Sequence, residues 1–243
     1  MDATTRTGDP IADTLREHVL SPISVAETSV EHEYADVETE LEAYERFKDR
    51  VAGIDTVSTS SAPAPTPQTR EVQSRQRMVE RVRSGFRETV MSVDHYDEMY
   101  GESLVEHAAA ELSADVAVVF RRERATPFTE MTKRVLTSAV ERAVEQRETF
   151  LGTLEGEQDG LESGRATLAS LLDDYGTGTA SDAHRADVTE RLDDLARERQ
   201  EVLRSRTTSV RTDGHDLCAY LYRDHEWTYP VLTATTRFRT AAV

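Results

Sequence analysis

Apolar residues return along this chain every seven positions. Val30, Val37, Tyr44 and Val51 keep one beat with Tyr34 and Leu41 interleaved, and Val140, Leu154, Leu161, Leu168 and Tyr175 keep it again further on. Two turns of helix bring a side chain back to the same seam, so this spacing predicts helices that wind around one another. Before the first beat, Ile11, Leu15 and Val19 mark a short amphipathic helix opened by Asp9-Pro10 and interrupted at Ser21-Pro22. The first heptad helix then runs from about residue 24 to Val51, and Gly53 ends it. Val72, Val79, Val82, Phe86, Val90 and Val93 fall on one arc of a second helix that begins near Arg70.

A shorter helix carries Leu104, Val105, Ala108 and Leu112, and Thr126-Pro127 opens the longest periodic region, about 127–175. Gly152, Gly156, Gly160 and Gly164 interrupt that region, each costing about 1 kcal/mol relative to alanine inside a helix. Leu154, Leu161 and Leu168 nevertheless stay in phase across them, which predicts one continuous helix. Ser181-Asp182 caps a return helix, about 182–204, with Val188, Leu192, Leu195 and Val202 in phase. The C-terminal segment, about 213–243, gathers Tyr220, Tyr222, Trp227 and Tyr229 and predicts two short helices, the second starting at Pro230.

The pattern therefore predicts an all-α protein, an elongated coiled-coil-like helical bundle with a small C-terminal helical cap. It divides into residues 1–53, a short helix plus an acidic heptad helix; a linker over 54–69; and a helical bundle over 70–243. The linker is so rich in Ser, Thr, Ala and Pro that it cannot bury enough apolar surface to offset the entropy of ordering. Its Pro63-Ala64-Pro65-Thr66-Pro67 core reads as a stiff solvated spacer. Helix 24–51 is acidic and helix 70–87 rich in arginine, which predicts that the two pair as an antiparallel hairpin.

Charge changes the picture of the exterior. The 243 residues hold 46 Asp plus Glu against 29 Lys plus Arg, a net charge of -17, and only Lys48 and Lys133 are lysines. Acid excess with almost no lysine suits a protein kept soluble in concentrated salt, where ions screen its self-repulsion, and predicts a halophilic source. One cysteine, Cys218, excludes a disulfide within the chain and points to a reducing cytoplasm. No apolar run approaches the roughly 18–20 residues that span a bilayer, and the opening segment, with Asp2, Asp9, Asp13 and Glu17, lacks the form of a secretory signal.

Candidate chemistry is sparse. His215, Cys218 and His225 offer three ligands for zinc, but no fourth stands at a recognised spacing, and Cys218 lies in an apolar helical run that suits a buried thiol. His95, Asp97, Glu98 and Glu102 read as helix-start residues that complement the dipole rather than as an acid–base pair. No catalytic residue, metal or cofactor is therefore expected. The arginines from Arg70 to Arg87 make a nucleic-acid-associated regulator the runner-up, yet they scatter around the helix instead of clustering on one side.

Three segments, HYDEMYGESLVEHAAAEL (95–112), TPFTEMTKRVL from Thr126, and DLCAYLYRDHEWTYPVL (216–232), resemble an uncharacterised helical domain family of haloarchaea. The resemblance extends from about residue 20 to the end of the chain and implies an extended helical unit from a halophile. It implies no activity, catalytic residue or cofactor. The expectation is a non-enzymatic scaffold or regulator that binds itself or other proteins, with Val140, Leu154, Leu161, Leu168, Tyr220, Tyr222, Trp227 and Tyr229 as the interaction surface.

Overall fold

The structure, a computed structural model, describes residues 10–56, 68–121, 127–177, 181–206 and 216–242. These residues form helices α1 (Pro10–Ala52), α2 (Gln68–Thr89), α3 (Tyr96–Met99), α4 (Leu104–Glu111), α5 (Ala114–Ala117), α6 (Glu130–Thr177), α7 (Asp182–Ser205), α8 (Leu217–Leu221) and α9 (Pro230–Ala242). No strand occurs among the described residues, and none of their helices is long and apolar enough to cross a membrane. The chain divides into two units: Ala35–Leu151, and Met1–Tyr34 together with Gly152–Val243.

In the unit 35–151, the heptad residues Val37, Tyr44 and Val51 are buried, as the spacing predicts. Helix α2 lies antiparallel to residues 35–52 of α1: Phe47 meets the Phe86 ring edge-on at 5.0 Å, and Arg81 reaches the Gly53 carbonyl. The hairpin is there, but a charge contact across it runs opposite to expectation, with the base Arg50 on α1 and the acid Glu88 on α2. Arg83 and Arg87 of α2 instead pair with Glu80 of their own helix. Lys133 donates to the Ala52 and Ile54 carbonyls at 2.6 and 2.9 Å, closing the end of α1 where the helix leaves acceptors without partners. Ile54 is thereby part of the core rather than of the linker; residues 57–67, the rest of that expectation up to Gln68, lie outside the described residues.

Short helices complete this unit. Ser103 and Glu106 form a reciprocal capping box at the start of α4, and the Ser113 hydroxyl accepts from Val116 N–H to start α5. The Thr129 hydroxyl accepts from the Thr132 N–H at the start of α6, and Thr126, expected to open this helix, lies outside the described residues. Phe47, Phe86, Phe120 and Phe128 fill the middle of the core.

The other unit is built on residues 10–34 of α1 and 152–177 of α6, which run antiparallel, tied by Arg16 to Asp173 at 2.6 Å and Glu27 to Arg165 at 3.0 Å. Helix α7 returns along α6, with Arg191 on Asp174 at 2.9 Å, and α9 packs Phe238 edge-on against Tyr175. The helix break expected at Ser21-Pro22 does not occur: α1 continues through Pro22. A proline inside a helix deprives the carbonyl four residues earlier of its amide donor. Here that carbonyl, of His18, accepts from the Arg237 guanidinium of α9 at 2.9 Å, and the same guanidinium reaches Ser21 Oγ. A tertiary contact thus replaces the bond that the sequence removes locally.

The glycines of α6 divide by face. A methyl group on Gly160 would lie 2.4 Å from Arg199 Nη1, and one on Gly164 2.9 Å from Val231 Cγ1, whereas Gly152 and Gly156 meet open space. Helix α6 is continuous across all four.

Candidate functional site

Extending the seven-residue beat of α6 through its gap lands on a charged residue. Val140, Arg147, Leu154, Leu161 and Leu168 share one phase, Ala143, Phe150, Glu157, Gly164 and Leu171 the companion phase, and every one of them is buried. Arg147 is 2% exposed and Glu157 0%. Each is the hub of an ion-pair cluster, one in each unit.

In the unit 35–151, Arg147 Nε donates to Glu40 Oε2 at 3.0 Å, Nη2 to Glu111 Oε2 at 2.8 Å and Nη1 to the Ala143 carbonyl at 3.1 Å. The guanidinium plane lies 4.0 Å from the centre of the Tyr44 ring, a cation–π contact that strengthens as water is excluded. Glu40 also accepts from the Tyr100 hydroxyl at 2.9 Å. His95 sits between two carboxylates, with Nδ1 3.3 Å from Asp36 and Nε2 3.2 Å from Glu40. Behind them His107 is buried among the rings of Phe86, Tyr96 and Tyr100, its Nδ1 3.4 Å from Glu102. Burial holds the His107 imidazole below the ordinary histidine value and so favours its neutral form.

In the other unit, Glu157 of α6 accepts from Arg199 Nη2 of α7 at 2.6 and 2.7 Å, from Arg206, and from the Tyr222 hydroxyl at 2.9 Å. Cys218 Sγ stands 3.9 Å from the same carboxylate. Burial, reinforced by the Glu157 charge, pushes the Cys218 thiol up to about 12 and drives Tyr222 upward as well. The thiol stays protonated, and a protonated thiol is a poor nucleophile and metal ligand.

These buried arginine–carboxylate pairs tie helices together within each unit: Arg147 of α6 to Glu40 of α1 and Glu111 of α4, and Glu157 of α6 to Arg199 of α7. The sequence reading missed Glu40, Arg147, Glu157 and Arg199 because it followed apolar residues alone, though a polar residue on the beat was the available signal. In α7 the same phase runs Val188, Leu192, Leu195 and then Arg199, which is 6% exposed, while Val202, expected on the seam, is 45% exposed.

Most of the residues expected to form an interaction surface are buried. Val140 is buried in the first unit, and Leu154, Leu161, Leu168 and Tyr222 are buried in the second. These five pack into the cores of their own units. Tyr220 and Trp227 are half-buried, the former donating to Glu33 at 3.0 Å, and Tyr229 is exposed. His225 stacks on Trp227 at 4.6 Å, and His215 lies outside the described residues, so the zinc arrangement is not brought together among them. No group of three His, Cys, Asp or Glu among the described residues is placed to hold a metal ion.

A family model described as Domain of unknown function (DUF7260) matches residues 21–242. No curated protein and no solved structure matches the chain.

Proposed function

The chain belongs to the DUF7260 family of unknown function, and on that premise we propose that it is a non-enzymatic helical interaction module, a scaffold or regulator that binds other proteins in the salt-rich cytoplasm of a haloarchaeon. The observation that carries this reading is an exposed apolar pair on an acid-rich chain: Met131 and Val135, one turn apart on α6, are 65% and 44% exposed. Arg147, Glu40, Arg199 and Glu157, by contrast, are committed to buried ion pairs, and Cys218 is held protonated. Acid excess with two lysines supports the halophilic setting.

The runner-up, a nucleic-acid-associated regulator, loses support because Arg83 and Arg87 face Glu80 and Arg81 faces the end of α1, leaving them poorly placed to track phosphates. Cross-linking tests the reading. The tagged full chain is expressed in a haloarchaeal host, captured in molar potassium chloride and treated with a carboxylate-reactive cross-linker, because two lysines are too few for an amine reagent. Recovery of a second polypeptide joined to the exposed face of α6 is expected. A chain that stays alone, or one that is retained on DNA and released by arginine-to-glutamine changes in α2, would overturn it.

A further inference from the structure

We propose that the cleft between α1 and α6 around Val30 and Leu154 seats one apolar side chain of a partner helix whose flanking positions carry arginine or lysine. This rests on the reading of the chain as an interaction module and names the site and the partner's chemistry. The cleft holds about 290 Å³ and is lined by Val30, Glu31 and Tyr34 from one turn of α1 and by Leu154, Glu155, Gln158 and Asp159 from one turn of α6. Val30 and Leu154 make its floor, and the Tyr34 hydroxyl, donating to Glu155 at 3.2 Å, fixes one wall.

At about 290 Å³ the cleft lies at the lower edge of small-molecule pockets, roughly 300–1,000 Å³, and has room for an apolar side chain. The groove between antiparallel helices is the form into which an amphipathic helix lays its apolar face. Charge then selects the flanks: Glu31, Glu155 and Asp159 are exposed around the apolar floor, and no basic residue lines the cleft. Phosphate groups and anionic lipid are repelled by such a rim. In concentrated salt the apolar anchor supplies the affinity, while the carboxylates reject acidic helices and so supply the choice of partner.

The test titrates the full chain with two synthetic amphipathic helices that share one leucine stripe, one flanked by arginine and the other by glutamate, read by anisotropy of a label on the peptide. The arginine helix is expected to bind, and Glu31→Lys combined with Asp159→Lys to weaken it by about tenfold or more with helicity unchanged, while the glutamate helix gains affinity for the reversed chain. Equal binding of the two helices, binding indifferent to the reversals, or no binding of either overturns the proposal. Light scattering that shows a dimer dispersed by the same reversals overturns it in favour of a second copy. A partner captured in molar salt that ignores the reversals removes this cleft alone; the absence of any captured protein removes the wider reading.

Discussion

Arg147 shows what a single charged residue on an apolar beat does. Its three guanidinium nitrogens are all engaged, by Glu40, Glu111 and the Ala143 carbonyl, so the cost of taking it from water is offset only in this register. Removing one partner of a buried pair leaves the other uncompensated and costs about 3–5 kcal/mol, while replacing both by apolar residues is often neutral. Arg147→Met should therefore lower stability by about that much, and Arg147→Met with Glu40→Met and Glu111→Gln, which leaves neither carboxylate uncompensated, should recover most of it, as read by urea unfolding in molar salt. Equal losses in the two variants would mean that the pair does not act as a unit.

His107 gives a second residue-scale prediction. Burial lowers its proton affinity in the folded state below the ordinary value of 6.5, so the unfolded chain takes up a proton first as pH falls. The imidazole's contribution to stability is then present above 6.5 and is lost on acidification through that value. His107→Gln should flatten the fall in unfolding midpoint below that value, whereas an unchanged slope would assign the acid sensitivity to carboxylates.

At the scale of elements, the glycines of α6 separate what the sequence could show from what it could not. The unbroken phase of Leu154, Leu161 and Leu168 made the continuity of α6 legible, but the reason for glycine at Gly160 and Gly164 is the approach of Arg199 and Val231 from helices distant in sequence. Gly152→Ala and Gly156→Ala should each raise stability by up to about 1 kcal/mol. Gly164→Ala, pressing a stiff valine, should lower it by about 1–3 kcal/mol. Thermal melts of the three variants decide; a stabilised Gly164→Ala would contradict the close packing of α9 on α6. Pro22 teaches the same lesson in reverse: local rules end the helix at Ser21, and Arg237, more than two hundred residues away, supplies the donor that lets it continue.

For the whole molecule, periodicity was enough to read an all-helical chain, a hairpin of α1 with α2, a return helix α7 and a C-terminal pair. It could not say that Val140, Leu154, Leu161 and Leu168 are used up internally, because a heptad seam looks the same whether its partner helix belongs to the same chain or to another. Nor could it find the charged hubs, since the search for chemistry looked at clusters in sequence and these form between helices. Any partner accordingly meets the exposed faces and the clefts that border the seams.

Circular dichroism with light scattering over a dilution series in molar potassium chloride tests this most directly. Seams closed within one chain give helicity that does not change as the protein is diluted, whatever its mass. Helicity that falls on dilution together with the scattering mass would mean that the seams close between chains.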